Sequence, residues 1–338
     1  MPYPFSAELV VESYLHGVRI DSFLNKHFRN YTQYRLQRMV RAGQAAIEGV
    51  TAEPDDRVFR GQTVQVRLIE PPDHLLPAEP LPLEVLYEDA WLIVVNKPPG
   101  QVCHPCGFYT EHSLANALQH HFDGQTPLKG LLRPGIVHRL DRQTSGVIVC
   151  TKDHLAHRKL SISFQSGRVS KTYLALVYGE LRDDEGTINL PLGQIAGGES
   201  ILMSAQPDAI DPRPARTLYR VLDRFAGYSF VRAHPLTGRF HQIRVHLAAL
   251  GHPVLADEFY SPQGPLWEQA ASPAHAGDAA NGTGVQPPLR LERHALHANT
   301  LEFIHPITGK TLSLTAPLAA DMQAVLDGLR HAATPQAK

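Results

Sequence analysis

Between positions 69 and 85 the chain reads IEPPDHLLPAEPLPLEV, five prolines in seventeen residues. Each proline fixes its own φ and removes a backbone donor, so neither a helix nor an internal strand can run through the stretch. The chain must therefore fold separately on either side: residues 1–70 before it and residues 85–328 after it, with 71–84 as a proline-rich linker. Two further segments lack any apolar period. Residues 261–290 are rich in Ala, Gly and Pro and are expected to be a mobile insertion; residues 329–338 are expected to be a disordered tail.

Composition excludes several classes. With 43% hydrophobic residues over 338 positions there is ample material for a large core. The longest apolar runs, WLIVV and VIVC, are far too short to cross a bilayer, and the N-terminus lacks the charged-then-apolar design of a signal peptide. Three cysteines cannot make a disulfide framework at this length. A soluble cytoplasmic protein is the expectation. The formal charge of -1 leaves open whether a local patch meets a polyanion.

Such a patch occurs early. Residues 18–41 hold six basic residues, Arg19, Lys26, Arg29, Arg35, Arg38 and Arg41, against Asp21 alone. In TQYRLQRMVRAG, arginines recur every third residue while Leu36, Met39 and Val40 fall on another side. That spacing predicts a helix with arginine outward, stopped by Gly43; a solvated face would have the same spacing. The following AAIEGVTAEPDDRVFRGQTVQVRL has the turns and alternation of short strands.

In the longer unit, VLYEDAWLIVVNKPPGQVCHP reads as a strand entering a proline-braked turn, and TEHSLANALQHHF as a short amphipathic helix. DHLAHRKLSISFQSG reads as helix and SKTYLALVYGEL as strand. Further strands are expected at 187–193, 216–222 and 228–235, a helix ending at Gly251, a hairpin with a TGK turn, and a closing helix over LAADMQAVLDGL.

Three stretches place charged residues beside tight turns at the ends of apolar elements: GIVHRLDRQTSGVIV, SKTYLALVYG and PLTGRFHQIRVHLAALGHPV. Asp141 is the one carboxylate in the first, and the second has none before Glu180, so paired-carboxylate glycoside hydrolysis has no obvious second member. A lone aspartate can attack a sugar carbon or take a proton from the sugar, if a cation keeps it ionised. Arg244 is a candidate cation. Spacing alone leaves rivals open: a capped turn with surface arginines for Asp141, an edge-strand charge for Lys171, a half-buried strand aromatic for Tyr173, a solvated helix face for Arg239 and Arg244.

GIVHRLDRQTSGVIV, KTYLALVYG, LTGRFHQIRVHLAALGHPV and LHANTLEFIHPITG, in that order, resemble the motifs of the RluA-type RNA pseudouridine synthases over roughly residues 85–325. RIDSFL, QYRLQRMVRAGQAAIEG and VFRGQTVQV are similar to the alpha-L RNA-binding module, with Glu48 where that module usually has Asn. The resemblance implies an α+β fold: a mixed, largely antiparallel central sheet with flanking helices and the active cleft across its middle, plus a small α/β RNA-binding module. It implies isomerisation of uridine to pseudouridine within structured RNA, with Asp141 as the essential aspartate, Tyr173 packing on the target base and Arg244 pairing with the aspartate. Arg139 matches the arginine that fills the gap left by the flipped uridine, and Lys171 would support the cleft or a phosphate. Arg35, Arg38 and Arg41 would bind RNA. No cofactor and no metal are implied, because the detached base is reused.

The expected partner is large-subunit ribosomal RNA, the catalytic unit acting as a monomer. Alternatives are transfer RNA as substrate, or a catalytically idle RNA-binding or ribosome-assembly factor. Cys103 and Cys106, in CHPC, have redox or zinc spacing but no second pair. His241 and His246 are five apart, too poorly aligned to share an ion on a helix or strand. ADEFYS keeps Asp257 and Tyr260 of the family pattern but has Ala256 and Ser261 where glycines are usual.

Overall fold

The computed structural model describes residues 7–29, 31–68, 76–125, 132–152, 154–195, 202–262 and 291–333. Positions 263–290 of the expected insertion, 69–75 of the proline-rich stretch and 334–338 of the tail lie outside the described residues.

The first unit contains β1 (Ala7–Val10), α1 (Ile20–His27), α2 (Gln33–Arg41), β2 (Ala45–Ile47), β3 (Val50–Thr51) and β4 (Thr63–Val66). Its strands form an antiparallel sheet in the order β1-β4-β2-β3. Phe23 and Leu24 of α1 and Leu36, Met39 and Val40 of α2 join Val64 and Val66 of the sheet in one buried cluster, so the apolar spacing of TQYRLQRMVRAG does mark the inward face. Thr32 begins α2 by accepting from the Arg35 N–H at 3.3 Å. Buried Asp21 ties the helices together, accepting from Gln37 at 2.6 Å and Gln33 at 3.4 Å. Burial opposes its charge, but Arg19, Gln37 and the Ser22 N–H outweigh that and bring its pKa down to about 2. Arg19, counted above in the basic patch, is thereby committed to structure: it pairs with Asp21 at 3.1 Å and Asp55 at 2.6 Å.

The second unit contains β5 (Glu84–Glu88), β6 (Leu92–Lys97), α3 (Leu114–Asp123), β7 (Gly135–Ile136), β8 (Ser145–Thr151), α4 (His154–Gln165), β9 (Ser170–Tyr178) and β10 (Glu185–Ile188). Then follow β11 (Leu192–Gln194), β12 (Met203–Ser204), β13 (Ile210–Arg213), β14 (Thr217–Phe225), β15 (Tyr228–Pro235), α5 (Gln242–Ala249), β16 (Leu296–Ile304), β17 (Thr311–Thr315) and α6 (Ala320–Ala333). The main sheet runs β10-β14-β15-β9-β16-β8-β6-β5, with β17 on β16 and β7 on β8. Among the described residues only the β16–β8 contact is parallel, so the sheet is mixed and largely antiparallel.

That parallel contact sits where the two halves of the sheet meet. On one side Ile93, Val95 and Ile148 cluster with Leu118 and Phe122 of α3 and Leu160 of α4. On the other Val177, Val231 and Ala233 cluster with Leu247 of α5 and Met322 and Leu326 of α6. Tyr173 packs against both clusters. Gly146 pairs with Lys97 on one side and Ala298 on the other. Its φ is +114°, and a Cβ there would lie 2.1 Å from the Ala298 carbonyl oxygen, so only glycine lets β8 and β16 approach.

Four sequence expectations change. VLYEDAWLIVV is a hairpin of two strands, not one, because Asp89 accepts from the Trp91 and Leu92 N–H groups and turns the chain. A three-stranded sheet, β12-β11-β13, was not expected; IDPR of β13 is exposed throughout and shows no alternation. The linker is held at its second half: the Glu79 carboxylate accepts from the His112 N–H at 3.0 Å, and the Glu79 N–H donates to Asn116. Residues 329–333, expected in the tail, are the last turns of α6, where Leu329 is buried and Arg330 pairs with Asp223 at 2.9 Å.

Candidate active site

Asp141 lies in the loop 137–144 that joins β7 to β8, at the junction of the two halves of the sheet. The apolar run VIVC after it is fully buried, so the loop is anchored at its C-terminal end by β8. Within the loop, the Asp141 carbonyl accepts from the Thr144 N–H at 3.0 Å.

Residues from distant segments hold nearly every position of this loop. The Cys103 thiol donates to the Leu140 carbonyl at 3.4 Å and accepts from the Leu140 N–H at 3.3 Å. Lys97, fully buried at the end of β6, donates to the carbonyls of Pro98 at 2.7 Å, Gln101 at 2.9 Å and Arg142 at 3.2 Å. Burial is the main cause that lowers its pKa, to about 8. Arg293 donates to the Gln143 carbonyl at 3.0 Å and to Ser145 Oγ at 3.2 Å, while paired with Asp321 at 2.6 Å. Thr144 Oγ1 lies 2.8 Å from His294 Nε2. His138 Nε2 accepts from the Val149 N–H at 3.1 Å, and its ring stacks on Phe164; burial then holds its pKa down to about 3.

Arg244, on α5, is 2% exposed, which rules out a solvated helix face. It is bidentate to Asp257, Nε to Oδ2 at 2.6 Å and Nη2 to Oδ1 at 2.8 Å, and its Nη1 donates to Asp141 Oδ2 at 3.2 Å. Asp257 also accepts from the N–H groups of Phe259 and Tyr260. One guanidinium thus meets two carboxylates. The two carboxylates share that one cation, Asp257 through two hydrogen bonds and Asp141 through one. Burial opposes the ionisation of Asp141; His241, when charged, and the permanently charged Arg244 outweigh it, and the pKa stays below the usual carboxylate value. Only Oδ2 is engaged: among the described residues no hydrogen bond reaches Oδ1.

The cleft over Asp141 has a volume of about 740 Å³, within the ~300–1,000 Å³ range of ligand sites. Asp141, Tyr173, Lys171, Arg139 and Arg244 all line it. Burial first, and then the charge of Asp141, raise the Tyr173 pKa, so its phenol is protonated at neutral pH. Lys171 donates to the Thr237 carbonyl at 3.3 Å, and burial lowers its pKa. Arg139 is exposed at the rim, its guanidinium 5.3 Å from the Phe240 ring centroid. Arg239 is exposed and donates to the Pro214 carbonyl.

Arg35, Arg38 and Arg41 do not line the cleft; they belong to α2, with Arg41 exposed and Arg35 over the Tyr31 ring at 5.0 Å. Sequence reasoning did not find Lys97, Cys103 as a loop clamp, Arg293 or His294. It noted Asp257 and Tyr260 only as retained pattern positions. The one local signal was a lysine closing an apolar run in LIVVNK. Ala256, in a place usual for glycine, does adopt a positive φ of 55°. His246 is bound to Thr217 and the Leu190 carbonyl, away from Asp141, whereas His241 faces it.

The family profile described as RNA pseudouridylate synthase matches residues 91–249, a span that includes Asp141, Tyr173 and Arg244. An uncharacterized RNA pseudouridine synthase of Bacillus subtilis is 33% identical over 92% of this chain and 94% of its own. Ribosomal large subunit pseudouridine synthase D of Xanthomonas campestris is 35% identical over 96% of this chain and 92% of its own. Its namesake in Pseudomonas aeruginosa is 33% identical over 94% and 93%. Among solved structures, human RNA pseudouridylate synthase domain containing 1 has a TM-score of 0.52 at 26% identity, covering 78% of this chain and all of that one. The α+β architecture, the cleft at the centre of the sheet and these likenesses over nearly the whole length lead to one conclusion: the chain belongs to the RluA-type RNA pseudouridine synthases, isomerases that convert uridine to pseudouridine in RNA.

Proposed function

We propose that this enzyme isomerises specific uridines of large-subunit ribosomal RNA, with Asp141 acting on the ribose, Tyr173 on the base and Arg244 fixing the aspartate. The observation that carries the assignment is the Asp141 carboxylate in the cleft, anchored through Oδ2 by Arg244 at 3.2 Å and open at Oδ1. The ribosomal target is supported by the names of the Xanthomonas and Pseudomonas relatives, and with such a target we take the cytoplasm as the place of action.

Oδ1 serves in one of two ways: it attacks the anomeric carbon as the bond to N1 breaks, or it removes the 2′ proton to give a glycal. Either way the N1–C1′ bonding pair leaves with the base, so the negative charge passes from the Asp141 carboxylate to the detached base, which then turns to present C5. Burial, followed by the Asp141 charge, keeps the Tyr173 phenol protonated, so it meets the base as a neutral group.

The recessed carboxylate, 20% exposed, can meet a ribose only if the uridine leaves the RNA stack. Arg139 at the rim would fill the vacated place, and Lys171 would support the cleft floor. We assign residues 1–70 as the RNA-binding module, in which Arg35, Arg38 and Arg41 meet phosphates, and 85–328 as the catalytic unit. We further propose that the catalytic unit acts as a monomer without metal or cofactor, since the detached base is itself reused.

The test is to map pseudouridines in total RNA from cells whose sole copy is wild type or Asp141→Ala. At least one large-subunit ribosomal position should lose its modification in the variant. Loss confined to transfer RNA would move the target, and identical maps would refute the enzymatic role of Asp141.

A further inference from the structure

His241 has no part in the chemistry above, yet it is the second group that faces the anchored oxygen of Asp141. It sits just before α5 with φ 51°, 8% exposed, its ring stacked on Phe240 at 3.9 Å between centroids. Its Nδ1 lies 2.8 Å from the Tyr260 hydroxyl and its Nε2 lies 3.8 Å from Asp141 Oδ2. Tyr260 is fully buried, and its oxygen already accepts from the Met203 N–H at 3.1 Å. The phenolic proton needs an acceptor, and His241 Nδ1 is the partner in reach. The imidazole proton then resides on Nε2, directed at the carboxylate; the other tautomer would set a lone pair against a negative charge.

We propose that His241 is a positioning residue: a neutral imidazole, locked by Tyr260 as the Nε2–H tautomer, that steadies Asp141 Oδ2 together with Arg244 and leaves Oδ1 to act on the ribose. The separation of 3.8 Å exceeds a hydrogen bond in the free enzyme. It closes when substrate fills the cleft, as is common for groups that tighten only in the reacting complex. Burial, followed by the Arg244 charge, lowers the His241 pKa to about 4, which keeps the ring neutral through the physiological range. Met203 belongs to β12, so the unexpected three-stranded sheet gains a purpose: through Tyr260 it sets the tautomer of a ring that touches the reacting carboxylate. This proposal rests on the reading that Asp141 acts on the ribose.

Two amides separate the roles of the two ring nitrogens. A glutamine at 241 carries its N–H donor about as far as Nε2, whereas an asparagine ends near Nδ1. In the full-length enzyme, kcat and KM are measured on ribosomal RNA that lacks the modification. His241→Gln should keep kcat within about 5-fold of wild type, and His241→Asn should lose about 30-fold or more in kcat with KM little changed. Tyr260→Phe, which frees the tautomer without touching Asp141, should lose about 3- to 10-fold in kcat. A purely structural role predicts the reverse order for the amides, since the positive φ at 241 suits asparagine better than glutamine. Asparagine equal to or better than glutamine, or Tyr260→Phe with unchanged kcat, would overturn the proposal. Wild type and Asp141→Ala run alongside: if wild type forms no pseudouridine, or Asp141→Ala still does, the underlying reading fails instead.

Discussion

The Asp141 loop and the arginine face of α2 are both rich in cations, yet they are built in opposite ways. The loop is held by Lys97, Cys103, Arg244, Arg293 and His294, which come from three segments far apart in sequence. On the arginine face of α2, by contrast, Thr32 caps the helix through the Arg35 N–H and the Arg35 guanidinium lies over the Tyr31 ring, both contacts within four residues. If Asp141 acts on the ribose as proposed, its position needs to be over-determined. If the α2 face meets phosphates as proposed, it needs only charge in roughly the right places, and local periodicity can supply that.

The contrast predicts that single changes hurt around the loop and are tolerated on the helix. The largest effect is expected for Asp257→Ala, which removes the bidentate partner of the buried Arg244. Breaking such a pair costs about 3–5 kcal/mol, and the urea midpoint should fall accordingly. Gly146→Ala comes next, at about 3 kcal/mol, because a methyl cannot fit against the Ala298 carbonyl. A midpoint close to wild type for either change would break the comparison.

Acid should act through the same region. His241 and His294 are buried and neutral, burial being the main cause that brings the first to about 4 and the second well below its ordinary value. Unfolded histidine titrates near 6.5, so below that pH the unfolded state binds more protons than the folded one. Stability is full above pH 6.5 and falls as pH drops toward 4, by up to about 1.4 kcal/mol per pH unit for each group. Carboxylates such as Asp141, whose folded pKa is depressed, withdraw their contribution only at lower pH, below about 3.9. Urea unfolding at pH 7.5 and 5.5 measures the first window, and equal stabilities would contradict the burial of neutral histidines.

Smaller effects complete the series. Cys103→Ala loses both contacts to Leu140 and should cost about 1–2 kcal/mol, with a fall in kcat larger than any rise in KM. On the helix, replacing Arg35, Arg38 and Arg41 by glutamine should change stability by no more than about 0.5 kcal/mol. RNA binding should weaken, and the slope of log affinity against log salt should flatten by about 2–3. An unchanged slope would reduce that face to a solvated surface.

The same contrast explains what could be read from sequence. Leu36, Met39 and Val40 announce their buried face by spacing, and the hairpin over LEFIHPITGKTLSL by its turn. Asp141, Tyr173 and Arg244 carry motifs long enough to be matched to a family, and the cleft brings all three together. Spacing alone did not place Arg244 inside, because its burial depends on Asp257, thirteen residues away in the loop after α5. Lys97 and Arg293 stayed hidden because a buried cation satisfied by carbonyl groups has no periodic signature. β13 stayed hidden because it is an exposed strand interrupted by Pro212.

The central claim is that Asp141 supplies the chemistry and not the scaffold. It is tested most directly by Asp141→Asn, assayed for pseudouridine formed in unmodified ribosomal RNA and for stability in urea. Arg244 retains Asp257, so stability should stay within about 1 kcal/mol of wild type. Pseudouridine formation should fall by at least about 1,000-fold. Turnover within a few-fold of wild type, or loss of activity only because the variant unfolds, would contradict the account.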